Sequence, residues 1–232
     1  MSEATARAMS NIAFIKYWGN QDDDLRLPVN SSLSMNLDGL YTETKVRWDT
    51  ALKHDELILN DSPATPAALE RVSLHLDRLR QRLGRTDFAH VTSANNFPMG
   101  AGIASSASAF AALTKAAIAA AGADLDEREL STLARLGSGS ASRSIPSGFV
   151  EWHMGHDHAS SFAESIAAPD HWDLVDVIAI ISEKHKATVS QAGHKTAPTS
   201  PFQTVRVAGA AERLDRCRAA LLGRDFSAFA EV

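Results

Sequence analysis

The stretch from Asn95 to Ser108, Asn-Asn-Phe-Pro-Met-Gly-Ala-Gly-Ile-Ala-Ser-Ser-Ala-Ser, constrains this chain more than any other. It joins a segment of strand character, Asp87 to Thr92, to an alanine-rich run, Ile103 to Ala121, that Gly122 ends. Alanine favours helix and adds little bulk, so the run reads as a helix buried by close packing. The small residues around Gly100 and Gly102 let the backbone approach a ligand closely. The first free N–H groups of the helix and the positive end of its dipole then face that ligand, and an anion suits the position. Ser105, Ser106 and Ser108 add hydroxyl donors. The spacing matches neither the P-loop nor the dinucleotide glycine pattern. On these residues alone the segment is either a phosphate-binding turn or a tight turn before a closely packed helix.

The remaining periodicities mix strands and helices. Ile12 to Ile15 reads as a short strand. Tyr41 to Trp48 alternates, with Thr42, Thr44, Val46 and Trp48 on one face, which predicts a half-exposed strand with Glu56 to Leu59 paired to it. Leu69, Val72, Leu76, Leu79 and Leu83 predict an amphipathic helix, opened by Pro66 and closed by Gly84. Asp124 is placed to cap a helix running through Leu136. Gly148 to Trp152 reads as a strand, and the apolar run Leu174 to Ile181 as a strand buried on both faces. Phe202 to Leu222 and the residues from Asp225 onward read as helices, and His153 to Asp170 as a polar excursion. The pattern is that of an α/β or α+β chain.

A net charge of −5 over 232 residues gives no overall field for nucleic acid or anionic membrane, so any anionic ligand must be held locally. The single cysteine, Cys217, excludes an intrachain disulfide and reads as a small core residue in a reducing compartment. No apolar run reaches the about 18 residues of a membrane span, and Met1 to Ser10 lacks a signal-peptide core. The expected location is the cytoplasm.

Four blocks carry a family resemblance. They are Asn11-Ile-Ala-Phe-Ile-Lys-Tyr-Trp-Gly19, Leu27-Pro-Val-Asn-Ser-Ser-Leu-Ser34, the Asn95–Ser108 stretch, and Gly137-Ser-Gly-Ser-Ala-Ser-Arg-Ser144 with Gly148-Phe-Val-Glu-Trp152. In order and spacing they resemble the diphosphomevalonate decarboxylases, a branch of the galactokinase, homoserine kinase, mevalonate kinase and phosphomevalonate kinase superfamily. The resemblance spans essentially the whole chain. It implies an α/β, two-layer GHMP-kinase-like N-terminal domain over residues 1–182 and the beginning of a C-terminal domain over 183–232. It further implies ATP-dependent decarboxylation of a 5-phosphorylated mevalonate in isoprenoid biosynthesis, with ATP and Mg2+ as cofactors, and a homodimer. Pro98, Gly100, Gly102, Ser105, Ser106 and Ser108 would then hold ATP.

That chemistry sets requirements. Hydroxide leaves C3 poorly, so ATP first phosphorylates it; phosphate and CO2 then depart through a state with positive character at C3. The site must hold the carboxylate and position the γ-phosphate. Arg143, alone, is either a surface arginine beside a flexible turn or a planar fork for a carboxylate. The resemblance makes it the fork, with Asn11 as a catalytic partner that donates and accepts at once. Tyr17 and Trp18 alone form an aromatic patch at a strand end; the resemblance puts the Tyr17 hydroxyl on the substrate phosphate. Asn20, Ser138, Gly139, Ser140, Ser190 and Gln191 complete the substrate-binding set. Lys16 is either a phosphate contact or a structural ion-pair partner. Lys184, Lys186 and Lys195 form either a basic loop touching phosphates or a solvated surface. His153, His156, His158 and His171 read as solvated loop histidines rather than metal ligands.

Two departures bear on the substrate. The family's first motif continues Gly-Lys, with the lysine on the terminal phosphate, but Asn20 stands here. An arginine ahead of a glycine in the second basic loop corresponds to Gln191, before Gly193. Fewer cations favour 5-phosphomevalonate, giving isopentenyl phosphate, over the 5-diphosphate, giving isopentenyl diphosphate. The family's catalytic aspartate lies beyond the helix beginning near Asp225, and the sequence stops at Val232. A truncated chain, inactive alone, is therefore expected, and Asp22, Asp23 and Asp24 read as a solvated turn rather than the base. A mevalonate 3-kinase and a non-catalytic ligand-binding relic are the alternative readings.

Overall fold

A computed structural model of the chain describes residues 2–98, 105–179 and 190–232; for 190–192 it describes the backbone only. The elements run β1 (Ser2–Ile15), β2 (Asn20–Asp22), β3 (Leu27–Pro28), β4 (Ser32–Asp49), β5 (Glu56–Leu59), β6 (Ser62–Pro63), α1 (Pro66–Leu83), β7 (Phe88–Asn95), α2 (Ser105–Ala120) and α3 (Glu127–Gly137). A 3-10 helix, Gly139–Ser144, follows, then β8 (Phe149–Trp152), β9 (Ala163–Ala167), α4 (Ser190–Thr196), α5 (Gln203–Ala208), α6 (Ala210–Gly223) and α7 (Phe226–Ala230).

β4 is the spine. One edge pairs antiparallel with β1; the other takes β8 along Ser32–Met35 and β7 along Thr42–Asp49. The seven-stranded sheet runs β6-β5-β7-β4-β8-β9, with β1 alongside β4. The β1 register jumps from Met9↔Tyr41 to Asn11↔Asn36, so β4 bulges opposite Ser10. Gly39 in this bulge has φ +77°, a backbone that L side chains rarely adopt.

Each sheet face meets helices. Val46, Trp48, Leu57 and Val91 pack against Leu76 and Leu79 of α1, the alanines of α2 and Leu133 of α3. Ala111, Ala112, Ala116 and Ala117 are fully buried, which lets α2 approach closely enough for Trp48 Nε1 to donate to the Ala117 carbonyl at 3.0 Å. Behind the sheet, Ile15, Leu33, Met35, Leu37 and Phe149 meet Leu214, Cys217 and Leu221 of α6, with Phe229 and Val232 at the margin. Burial pushes the Cys217 thiol up to about 11, which suits a core residue. β8 alternates as a strand must. Glu151 accepts Arg218 Nε and Nη2 at 2.7 and 2.8 Å, while the buried Val150 and Trp152 pack with Tyr17 in a separate cluster.

The α/β expectation holds, with α6 adding helix on the second face of the sheet and with local differences. Glu56–Leu59 pairs parallel with β7, because β7 occupies the β4 edge. Asp126, not Asp124, caps α3, accepting the Glu129 N–H at 2.7 Å. Gly209 breaks the expected Phe202–Leu222 helix in two. β1 begins at Ser2, because the polar N-terminal residues pair with β4 at an outer edge. The polar excursion contains β9. Residues 174–179 form no strand, and Val175 and Val177 are 80% and 87% exposed. These residues pair with no strand among the described residues, and positions 180 and 181 lie outside them.

One buried ion pair pins α1 to the sheet margin. Arg80 donates from Nη1 and Nη2 to both Asp55 oxygens at 2.9 and 3.0 Å, and Asp55 also accepts the Ala89 N–H. The side chains are 8% and 2% exposed. Arg80→Met leaves the Asp55 carboxylate buried without its counter-charge and is expected to destabilise by about 3–5 kcal/mol. Urea unfolding checks this; a loss under about 1 kcal/mol would mean that water replaces the arginine freely.

Candidate active site

Arg143 occupies the 3-10 helix, which enters through the extended Ser138 at the end of α3. Ser142 Oγ donates to the Gly139 carbonyl at 2.8 Å, and Ser131 Oγ of α3 to the Ser142 carbonyl at 3.2 Å, so hydroxyls fix the turn. Arg143 is 4% exposed, and burial holds it at about 10. Its Nη1 donates to Ser32 Oγ at 2.7 Å and its Nη2 to Asn11 Oδ1 at 3.3 Å. Its Cζ lies 5.6 Å from the Trp152 ring centroid, within cation–π range. Nε has no partner, and no carboxylate pairs with Arg143 among the described residues. Asn11 Nδ2 donates to Ser144 Oγ at 2.8 Å and to the Ser140 carbonyl at 3.2 Å, which fixes the amide so that its oxygen faces the guanidinium. The structure thus brings Arg143, Asn11 and Ser140 together, and it adds Ser32, which lies in the Leu27–Ser34 block and whose partner is 111 residues away.

Tyr17 follows the end of β1. A Cβ added at Gly139 would stand 2.6 Å from Tyr17 Cε1, so glycine is required where the ring lies on the turn. The ring meets Trp152 edge-on at 4.7 Å and stacks on His194 of α4 at 4.1 Å. Its hydroxyl donates to Asn20 Oδ1 at 2.5 Å, and Asn20 Nδ2 donates to Asp23 Oδ1 at 2.7 Å. Burial pushes the phenol up to about 12, against the pull of Arg26 and Arg143. His194 Nδ1 accepts the Gly19 N–H at 3.0 Å, and burial, then Arg26, lower it to about 4. Arg206 and Gln203 of α5 both donate to the Trp18 carbonyl, tying the same corner from outside. Lys16 is largely exposed and makes no ion pair among the described residues; partial desolvation, then the Arg143 charge, lower its pKa against the pull of Asp176. That arrangement suits an anion contact rather than a structural ion pair.

On the other side of the turn, Ser106 Oγ in the first turn of α2 lies 3.2 Å from Ser138 Oγ. Ser105 is half-buried in the same turn and Pro98 is exposed. Ser108, expected as an ATP ligand, is fully buried, 2.7 Å from Thr42 Oγ1, and donates to the Ser105 carbonyl at 3.2 Å. It lies two residues beyond Ser106, on the side of the helix that packs on β4. Gly100, Gly102, Lys184 and Lys186 lie outside the described residues. Ser190 and Gln191 open α4 one turn ahead of His194, with their side chains outside the description. Lys195 is exposed.

Three of the loop histidines are held by protein rather than solvated. His153 Nε2 meets Glu164 at 2.7 Å, His158 Nδ1 meets Arg135 at 3.0 Å, and His171 Nε2 meets the Leu221 carbonyl at 3.1 Å. His156 is exposed. Three further arginines gather behind the turn. Arg26 and Arg78 donate to the Leu136 carbonyl and Arg71 to that of Gly137. Arg71 also lies over the Phe110 ring of α2 at 4.6 Å.

A family model described as the diphosphomevalonate decarboxylase-like N-terminal domain matches residues 8–163. The diphosphomevalonate decarboxylase of Ganoderma lucidum is 40% identical over 249 residues, 99% of this chain. The chain belongs to the diphosphomevalonate decarboxylase-like family. It spans 62% of the length of that fungal relative. A crystal structure of mevalonate diphosphate decarboxylase from Staphylococcus aureus superimposes with a TM-score of 0.91 at 36% identity, covering 99% of this chain and 70% of that one. A structure of MDDEF in complex with MVAPP, AMPPCP and magnesium gives 0.90 at 38% identity, covering 99% and 71%. The family's motifs therefore fall on the elements described above: the Asn11 and Tyr17 blocks on β1 and its exit, and Arg143 on the 3-10 helix.

Burial makes the site pH-sensitive through two neutral histidines. His75, fully buried 2.8 Å from Thr114 Oγ1, is lowered to about 3, and His194 to about 4. Both are below the ordinary 6.5, so below 6.5 the unfolded chain binds protons that the folded one does not. The stability is full above pH 6.5 and is lost as pH falls toward 4. Urea midpoints should drop between about pH 7 and pH 5, and drop less in His194→Phe. Equal slopes in parent and variant would exclude His194 as a contributor.

Proposed function

We propose that this chain forms the substrate-binding part of an enzyme that decarboxylates 5-diphosphomevalonate with ATP. The observation that carries the reading is Arg143: a buried guanidinium, fixed by Ser32 and Asn11, with no carboxylate of its own among the described residues. Guanidinium has five donors; the protein uses two from the forked end, and others remain for a ligand carboxylate. Tyr17 packs on the Trp152 ring that Arg143 faces, and with Asn20 and Gly139 it suits the phosphorylated end of the substrate. The proton of the 3-hydroxyl is not assigned to Asp22 or Asp23. Asp22 accepts the Leu25 N–H at 2.8 Å and Asp23 accepts Asn20, both within the β2–β3 hairpin.

The residues present fit ATP and Mg2+. Ser106 and Ser138 set two hydroxyls 3.2 Å apart at a helix N-terminus, a donor set suited to phosphate oxygens. Mg2+ keeps several waters and would be held mainly through the ATP phosphates, with a serine hydroxyl as an added oxygen ligand. ATP, when bound, supplies the phosphoryl group that turns the 3-hydroxyl into a leaving group. A similar protein holding MVAPP, AMPPCP and magnesium supports the pairing.

The relatives are named for the diphosphate, which favours it over the monophosphate expected from Asn20 and Gln191. One observation favours the monophosphate as a second reading: Asn20 is neutral and bonded to Asp23, an acidic neighbour unfavourable to a second phosphate. The deciding measurement is kcat/KM for both substrates in the full-length protein and in Asn20→Lys. The diphosphate should be preferred in the parent and more so in the variant; monophosphate preference in the parent would overturn the proposal.

Arg143→Ala in the full-length protein should lower kcat/KM for decarboxylation by about thirty- to a thousandfold, equivalent to roughly 2–4 kcal/mol, with far less effect on KM for ATP. Steady-state kinetics near the parent's value would remove Arg143 from the mechanism.

A further inference from the structure

Several cations of this chain are compensated by carboxylates: Arg7 by Glu43, Arg80 by Asp55, Arg85 by Asp87 and Arg218 by Glu151. Arg26 and Arg78 meet no carboxylate among the described residues. Both instead donate to one oxygen, the Leu136 carbonyl, Arg26 through Nε at 2.8 Å and Arg78 through Nη1. One carbonyl dipole cannot offset two full positive charges, so the pair repels itself as it stands. Burial, with the Arg78 charge, lowers the Arg26 pKa against the opposing pull of Tyr17 and of Asp23, which acts from beyond ion-pair distance. Arg26 also has φ +50°, a left-handed backbone that costs free energy in a residue other than glycine. A self-repelling pair held by a strained turn is an arrangement that an anion relieves.

The position names the anion. Arg26 lies on the β2–β3 hairpin that carries Asn20, and its charge acts on both Tyr17 and His194. Leu136 directly precedes the Gly137–Ser138–Gly139 turn on which the Tyr17 ring lies. Both nitrogens at the forked end of Arg26 have no partner among the described residues. We propose that Arg26 and Arg78 clamp the terminal phosphate of the phosphorylated substrate and supply the positive charge that Asn20 does not. The assignment rests on the substrate reading given above. A polyphosphate tail is shared by substrate and nucleotide, so the test separates them.

In the full-length protein, Arg26→Gln, Arg78→Gln and Arg26→Lys are compared with the parent in three respects: the diphosphomevalonate KM, the ATP KM, and thermal protection by inorganic pyrophosphate. Each glutamine variant should raise the diphosphomevalonate KM by about tenfold or more, with the ATP KM within about twofold. Arg26→Lys should recover part of the loss, and pyrophosphate protection should disappear in Arg26→Gln. A rise confined to the ATP KM assigns the pair to the nucleotide and overturns the proposal, as do unchanged KM values or a parent that pyrophosphate does not protect. If the parent turns over no phosphorylated mevalonate, the activity reading fails separately. The pyrophosphate arm then decides: lost protection in Arg26→Gln supports the clamp and retained protection overturns it. Arg78→Gln, on a different element, carries the same readings where Arg26→Gln does not fold.

Discussion

A guanidinium held inside the protein without a carboxylate among the described residues is the constraint around which this structure is arranged. Burying an uncompensated charge is costly unless hydrogen bonds and polarisable neighbours offset it. Arg143 receives three kinds of support: the Ser32 hydroxyl, the Asn11 amide oxygen and the face of Trp152. Each comes from a different strand, β4, β1 and β8, and those strands are adjacent only because β4 pairs with both others. The β4 bulge serves the same end. It resets the β1 register so that Asn11 stands opposite Asn36, whose own Nδ2 donates to the Arg143 carbonyl at 3.2 Å.

The serine-rich turn converts this packing into a site. Gly139 has no side chain because Tyr17 lies there; Ser142 and Ser144 spend their hydroxyls on Gly139 and Asn11; Ser138 reaches Ser106. The last of these contacts is the physical link between the first turn of α2 and the substrate side. Displacement of α2 by a ligand at its N-terminus would therefore be felt at Ser138 and, through the adjacent glycine, at Tyr17.

Much of this is legible in the sequence where information is local. The 3-4 spacing from Leu69 to Leu83 locates α1, and the alanines from Ala107 to Ala120 locate a helix that packs closely. Motif resemblance locates Arg143, Asn11 and Tyr17. What sequence reasoning misses shares a cause in long-range context. Ser108 looks like Ser106 in sequence, but its hydroxyl meets Thr42 within the core. Leu174 to Ile181 has the composition of a buried strand, yet pairing depends on an edge that composition does not reveal. His194 carries no local mark of function, because its partners Gly19 and Tyr17 are about 175 residues earlier in the chain. Arg26 stands between two recognisable motifs, and its partner carbonyl at Leu136 is 110 residues away, so it carries no local mark either.

The placement of charge fits the proposed chemistry for one further reason. Decarboxylation with loss of phosphate builds positive character at C3, so a cation beside that carbon would raise the barrier, while cations at the ends of the substrate help hold it. Arg143 faces the Trp152 ring, Arg26 lies on the β2–β3 hairpin, and both charges act on Tyr17 and His194. Of these two groups the phenol is raised to about 12 and the imidazole lowered to about 4, so both are neutral near pH 7. The same burial that keeps these two groups uncharged strengthens the field of the arginines beside them, because less water screens it. A protein with a net charge of −5 thereby keeps guanidinium groups beside a pair of uncharged rings.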